Sequence, residues 1–291
     1  MPDTDPRRRI AGPALVLATL AIYLLLPNRN YSYDSMAYAW FIKSGNMLFH
    51  PHHLLHSPLG FLLVRGLRSL GVPASPMVTM QVLNSLAGAL GVWLFFRILY
   101  RLYRNLFSAV VFSLLLGFCF IYWYNSIENE VMIIPLTILL YIMLRLVVLA
   151  SEPHTALPFF WMKLGIAGSL AVLFYEMHLV LPIVVLFLIP GYEKGVGRVA
   201  RAAALYVAPY LPVVGGAYLA SAGVTHNLSS FDHFLRWSTL YIIPRVPRFF
   251  GVHTLQLALY GIPRVFLRAT FFKDFLLNGV ITPTGFLLLS G

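Results

Sequence analysis

Charged residues are scarce in this sequence, and acidic residues are the scarcest. Only 10 of the 291 residues are aspartate or glutamate, and charged residues together make up 11% of the chain. A soluble globular domain usually carries about 25% charged residues. Beside a hydrophobic fraction of 59%, this deficit excludes a fully hydrated surface and indicates an integral membrane protein.

Cysteine is almost absent. The single cysteine, Cys119, lies inside an apolar run and has no second cysteine with which to form an intrachain disulfide. A disulfide framework is therefore excluded, and we interpret Cys119 as a packing residue rather than a nucleophile.

The charge that is present is strongly positive, with a formal net charge of +11. In a soluble protein this balance would suggest nucleic acid as a partner. Here many basic residues stand at the ends of apolar runs, which is typical of residues that orient a chain in a membrane. We therefore expect membrane lipid and no nucleic acid among the partners.

Several apolar runs approach or exceed the roughly 20 residues that a helix needs to cross a membrane. The first follows three arginines at 7–9, and no clear small-residue cleavage site comes after it, so we interpret it as a retained span rather than a signal peptide. The clear runs are Ile10–Leu26, Pro76–Phe96, Asn105–Ile127, Val131–Ala150 and Ala202–Ala222.

The run Leu164–Ile189 fits either one long span or a hairpin of two short ones, because Glu176 and His178 interrupt it. The hairpin keeps the basic residues at 194–201 on the same side as the N-terminus, which the positive-inside rule favours. With two weaker runs, Phe249–Pro263 and Phe275–Ser290, the sequence predicts an all-α, polytopic transmembrane helix bundle of about 7–9 spans. Residues 1–222 would form its core, and 223–291 an outer loop and C-terminal apolar segments.

The first outer loop, residues 27–75, is too long to be a simple connector. The stretch Ser35–Ser44 has the pattern of an interfacial amphipathic helix, with neighbouring tyrosines and Trp40 as interface anchors. A second short helix is predicted over Pro58–Leu70. We therefore expect interfacial helices in this loop.

With a cytoplasmic N-terminus, this topology places most polar side chains on the outer side. Carboxylates at membrane depth are costly and usually functional, so the pattern predicts a functional outer cavity, with simple solvated loops as the alternative. The carboxylates placed there are Asp34, Glu128, Glu130, Glu176 and Asp232, and the histidines are His50, His52, His53, His56, His178, His226, His233 and His253.

Three carboxylates are candidate catalytic groups. Asp34 follows the first span and could act as general base toward an acceptor hydroxyl, or could instead be a helix N-cap. Glu128 and Glu130 are two residues apart and would not share a helix face. We expect one of them to reach a common site unless the loop is irregular.

The stretch His50-Pro-His-His-Leu-Leu-His56 is a candidate substrate-binding segment. On a helix, His52 and His53 would each share a face with His56, a spacing that could hold a metal. Free amides of a first helical turn, together with a protonated histidine, could instead hold a phosphate. Interfacial histidines at a helix start are the third possibility. Glu176 and His178 would join this segment from the hairpin tip.

Arginines after the seventh span are further candidates for binding a phosphate, because a guanidinium matches its oxygens. Contact with lipid headgroups is the alternative for each of them. They are Arg236, Arg245 and Arg248.

Four stretches, in this order, resemble the GT-C class of membrane glycosyltransferases, and most closely its protein O-mannosyltransferase-like branch, including bacterial members of unknown acceptor. The stretches are His50–His56, Gln81–Val92, Ser126–Val131 and Leu173–His178.

The resemblance implies transfer of a sugar from a polyprenyl-phosphate-linked donor to an acceptor hydroxyl, on the outer face of a bacterial plasma membrane and without a metal or other cofactor. Asp34 would match the family's catalytic acidic residue, and Glu128 and Glu130 its second acidic motif. The histidines would surround the donor. The family often has two adjacent acidic residues in the first loop, whereas Ser35 follows Asp34 here.

Family members are usually longer than this chain, which stops at Gly291 inside an apolar run. We therefore expect a fragment or a minimal core. Three other functions stay open at this point: a transporter or lipid flippase, a metalloenzyme using the histidine segment, and a non-catalytic membrane subunit.

Overall fold

The computed structural model describes residues 6–152, 159–225 and 227–239, and in these ranges the chain is helical with no strand. The predicted spans Phe249–Pro263 and Phe275–Ser290 lie outside the described residues, as do Arg245 and Arg248. The α-helices are α1 Pro6–Leu25, α2 Tyr33–Ser44, α3 His56–Ser69, α4 Pro76–Tyr103, α5 Leu106–Phe118, α6 Phe120–Ile127, α7 Ile133–Ser151, α8 Phe160–Phe174, α9 Val180–Tyr192, α10 Val196–Val207, α11 Gly216–Val224 and α12 Phe231–Ser238.

Helix α4 is the centre of the bundle. It packs most extensively against α7 and also contacts α1, α5 and α6. Gly88 and Gly91 permit the contact with α6, since a Cβ at either position would collide with Ser126 or Tyr122. Small residues at such crossings let two helices in a membrane approach closely.

Among the residues that the structure describes, three continuous helical segments are long and apolar enough to cross a membrane: Pro76–Tyr103, Ile133–Ser151 and Val196–Val224. The pair α5 and α6 makes a fourth if its two arms count as one span. Helices α1, α8 and α9 are apolar but shorter. The membrane character is thus supported, while the count of 7–9 spans stays a prediction.

The span predicted over Asn105–Ile127 is bent, because α5 and α6 meet at an angle of 63°. Cys119 between them has extended backbone, which interrupts the helix. Beyond the bend, the hydroxyl of Tyr122 donates to the carbonyl of Gly88 at 2.8 Å. This bond and the close packing on Gly88 and Gly91 hold α6 against α4, at an angle to α5.

The hairpin alternative for Leu164–Ile189 is confirmed. Trp161, at the start of α8, donates from Nε1 to the carboxylate of Glu193, just after α9, at 2.9 Å. Its ring also lies 6.1 Å from that of Tyr192. The chain therefore reverses between the two helices, and a 3-10 turn, Glu176–Leu179, forms the tip.

Both helices predicted in the first loop are present, as α2 and α3. They pack on each other and on α4, through a small apolar cluster that includes Ile42, Val64 and Met80. This packing places the start of α2 and the start of α3 beside the N-terminal end of α4.

Candidate functional site at one end of the bundle

Segments far apart in sequence meet at one end of the bundle, which we call the site end: the end where α1 finishes and α4 begins. The amide of Leu55 donates to the carbonyl of Leu173 at 3.0 Å, and the amide of Glu176 donates to the carbonyl of His52 at 2.9 Å. The hydroxyl of Tyr218 on α11 donates to the carbonyl of Pro51 at 2.5 Å. These bonds join the loop between α1 and α4 to the hairpin tip and to α11.

A row of polar side chains on α4 organises this end. Gln81 donates to the carbonyls of Asn28 and Ile127 at 2.8 and 3.0 Å. Asn84 donates to the carbonyls of Glu128 and Glu130 at 2.7 and 2.8 Å. Positions 81, 84 and 85 share a helix face. We call Gln81, Asn84, Ser85 and Glu128 the polar seam.

Glu128 is the acidic member of the polar seam and is fully buried. One carboxylate oxygen accepts from the side-chain amide of Asn28, and the other accepts from the hydroxyl of Ser35. Its neighbour Asn129 donates to the carbonyl of Ser35 at 2.9 Å. Glu128 therefore ties the end of α1 and the start of α2 to the α6–α7 connection, and its side chain is closed to solvent.

Glu130 lies two residues further on and is half-buried. Its carboxylate accepts from the hydroxyl of Ser32 at 2.8 Å. Burial raises the pKa of this carboxyl, and the charges of Asp34 and Glu128 raise it further, against the opposing effect of the Ser32 hydrogen bond. Glu130 is therefore protonated more easily than an exposed glutamate.

Asp34 is exposed in the first turn of α2. The alternative that it caps this helix is wrong, because Ser32 is the N-cap residue and its hydroxyl accepts from the amide of Ser35 at 3.0 Å. A carboxylate in a first helical turn is favoured by the helix dipole. Asp34 therefore has no capping role, and it is close enough to Glu130 for its charge to raise the pKa of that carboxyl.

The histidine segment does not adopt the helical conformation that would give its histidines a shared face. Helix α3 begins only at His56, and two turns occupy residues 51–55, so the shared helix face of His52 and His56 does not form. The amides of His53 and His56 donate to the carbonyls of His50 and His53 at 3.1 and 3.3 Å. These two amides already have backbone acceptors and are not free to hold a phosphate.

The histidine rings nevertheless cluster. His50 stacks on His53 with 4.4 Å between ring centroids, and Tyr38 lies edge-on to His53 at 4.8 Å. Burial lowers the pKa of His50 and His56 to about 4 and that of His53 to about 2. These three rings are therefore neutral at pH 7 and bring no positive charge to a phosphate.

The hairpin tip completes the group. The carboxylate of Glu176 contacts the imidazole of His52, and Nδ1 of His178 lies 3.2 Å from the carbonyl of Tyr175. We call Asp34, Glu130, Glu176, His50 and His52 the mouth cluster. Its members come from four segments: α2, the α6–α7 connection, the hairpin tip and the loop before α3.

Arg236 is placed elsewhere. It is exposed on α12, and its Nε lies 2.9 Å from the carboxylate of Asp232 on the same helix. An exposed pair of this kind contributes little to stability. No contact within the described ranges joins Arg236 to the mouth cluster.

Sequence reasoning singled out the carboxylates and histidines but missed the residues that hold them. Asn28, Ser32 and Ser35 make the contacts to Glu128 and Glu130, yet nothing in a loop sequence distinguishes them. The polar residues Gln81 and Asn84 did carry a signal, since they interrupt one face of an apolar helix.

Two further findings bear on the site. Among the residues that the structure describes, no three histidine, cysteine, aspartate or glutamate side chains are grouped to hold a metal ion. No protein-family model, no curated protein and no solved structure matches this chain.

Proposed function

We propose that this protein is a membrane glycosyltransferase, which moves a sugar from a polyprenyl-phosphate-linked donor to an acceptor hydroxyl. The observation that carries the proposal is the half-buried Glu130, with its raised pKa, beside the exposed Asp34. Perturbed carboxyls of this kind concentrate at functional sites. Their position at the end of apolar helices suits a substrate whose lipid tail lies in the bilayer.

The reaction needs a base for the acceptor and stabilisation of charge on the donor. Asp34 accepts the proton of the acceptor hydroxyl, because it is exposed and can meet an acceptor that arrives from water. The acceptor oxygen then bonds to the anomeric carbon as the bond from that carbon to the phosphate oxygen breaks, and the lipid phosphate leaves.

Glu130 and Glu128 have different parts in this proposal. The charge of Glu130 lies deeper than Asp34 and stabilises the positive charge that develops on the sugar ring as the donor bond breaks. Glu128 does not touch substrate and positions α2, and with it Asp34, through its bond to Ser35. The histidines and Glu176 border the sugar, and no step is assigned to a metal.

The site end would face the outside of a bacterial plasma membrane. Basic residues at helix ends remote from the site end, such as Arg101, Lys163 and Arg198, support this orientation, because cytoplasmic ends of membrane helices are rich in lysine and arginine. The N-terminus would then be cytoplasmic. The acceptor is a hydroxyl of a protein, glycan or lipid.

The test is donor binding and turnover by the purified protein in nanodiscs, with a panel of polyprenyl-phosphate sugars. We expect the wild type to turn over one donor, and Asp34→Asn to bind it but react about 10²–10⁴-fold more slowly. Glu152→Gln, at the opposite end of the bundle, is the matched control and should be fully active. Failure of the folded wild type to bind any lipid-linked sugar, or full activity of Asp34→Asn, would refute the proposal.

A further inference from the structure

The mouth cluster contains three carboxylates and two histidines, and none of its members is an arginine or a lysine. A departing lipid phosphate carries negative charge, which a guanidinium stabilises best. Arg29 follows Asn28 directly in the chain, and the side-chain amide of Asn28 bonds Glu128 of the polar seam. No ion pair is made by Arg29 within the described part of the chain, and its side chain is exposed.

Arg29 lines a groove of about 250 Å³ between the end of α1 and the start of α4. Asn28 and Tyr31, which follow α1, also line the groove, and Gln81 and Ser85 of the polar seam line it from α4. The groove therefore reaches the scaffold that holds Glu128.

The other walls of the groove are apolar and open to the surroundings. Leu24 on α1 is 44% exposed, and Val78 and Val82 on α4 are 54% and 38% exposed. Side chains of this type on membrane helices contact hydrocarbon chains. A cation at one end and apolar walls leading away from it match a phosphate with a lipid tail.

We propose that this groove binds the phosphate of a polyprenyl phosphate, with Arg29 as its ligand and the first isoprene units against Leu24, Val78 and Val82. The inference rests on the proposed function for its choice of lipid. The groove is smaller than the roughly 300–1,000 Å³ of sites that enclose a small molecule. It holds the phosphate and the start of the chain, and the rest of the chain lies in the bilayer.

The Arg29 site separates the two charges that the reaction needs. The guanidinium receives the leaving phosphate on the α1–α4 side, and the carboxylates of Asp34 and Glu130 lie on the side of α2 and the α6–α7 connection. Asn28 stands between them, since it lines the groove and bonds Glu128.

The experiment measures binding of sugar-free polyprenyl monophosphate to the full chain by native mass spectrometry and by titration in detergent. Polyprenyl alcohol and phosphatidylglycerol serve as competitors. Arg29→Gln should weaken binding at least tenfold, and Arg29→Lys less, because lysine keeps the charge but loses the planar fork. Arg65→Gln, an exposed arginine over the Phe61 ring on α3, is the matched control and should bind as the wild type does.

A second variant tests the apolar wall without touching the charge. Val82→Trp fills the groove and should weaken binding of polyprenyl monophosphate while the protein stays monodisperse. Equal binding by Arg29→Gln and wild type would overturn the proposal. So would competition by phosphatidylglycerol at equal concentration, which would make the groove a site for bilayer lipid.

Failure of this inference and failure of the proposed function are distinguishable. Arg29-dependent binding of polyprenyl monophosphate by a protein that transfers no sugar would support the lipid site and refute the transferase. Sugar transfer by wild type with unchanged lipid binding in Arg29→Gln would support the transferase and overturn the Arg29 site.

Discussion

The polar seam and the mouth cluster are adjacent, and each contains one glutamate of the same short motif. Glu128 belongs to the polar seam and Glu130 to the mouth cluster. Glu128 is fully buried and each of its oxygens accepts a side-chain donor, whereas Glu130 is half-buried beside another carboxylate. Buried polar groups with partners rigidify a structure, while poorly compensated charge is where reactivity is found. The difference shows that two carboxylates from one motif can have different surroundings, and that the buried one serves architecture.

The largest expected effect comes from removing the acid of the polar seam. Glu128→Ala removes two interior hydrogen bonds to a carboxylate, from the Asn28 amide and the Ser35 hydroxyl, and we expect a loss of about 3 kcal/mol in the free energy of unfolding. Denaturant unfolding in detergent measures it. Glu152→Ala removes a half-exposed carboxylate that pairs with the largely buried Arg101, and should cost about 1 kcal/mol or less. Equal losses of stability in Glu128→Ala and Glu152→Ala would contradict an architectural role for Glu128.

The next effect tests the α4 side of the polar seam. Asn84→Leu keeps a similar size but removes the donor to the carbonyls of Glu128 and Glu130. We expect a loss of about 2 kcal/mol, measured by the same unfolding assay. A variant as stable as wild type would mean that water replaces the amide at those carbonyls.

Acid should lower the stability of the protein, because three histidines at the site end must take up protons. The pKa values of His50, His53 and His56 are lowered from 6.5 in the folded state, so the unfolded chain binds protons first. Their contribution is complete above pH 6.5 and is lost as the pH falls toward about 4. The thermal midpoint should decline over this interval, and less steeply in His53→Gln. A midpoint flat from pH 7 to pH 4.5 would contradict the neutral, buried rings.

The smallest expected effect is a gain of stability on removing the charge of Glu130. The pKa of Glu130 is raised in the folded state, so its contribution to stability is present below about pH 4.5 and lost as the pH rises through the folded value. Glu130→Gln should therefore stabilise the protein at pH 8 by up to about 1 kcal/mol, with the gain vanishing at pH 4. Destabilisation of Glu130→Gln at pH 8 would mean that Glu130, like Glu128, stabilises the fold as a carboxylate.

Much of the fold was predictable from the distribution of apolar and basic residues. The helices of the first loop and the hairpin around Glu176 followed from amphipathic pattern and positive charge. The bend at Cys119 did not, because an apolar run shows no break when the cause is a contact of Tyr122 with α4. The turn conformation of residues 51–55 was not predictable either, since His52 and Leu55 form backbone hydrogen bonds to the hairpin, which is far away in sequence.

By itself, the sequence determined that the chain is helical, apolar and charged unequally at its two ends, because those properties depend on composition and on local periodicity. It also named the carboxylates and histidines that meet at the site end. Only the tertiary structure decided which of them is architectural, since the partners of Glu128 are Asn28 and Ser35, more than 90 residues away in the chain. Burial and long-range hydrogen bonds are properties of the packed bundle, and they separate Glu128 from Glu130.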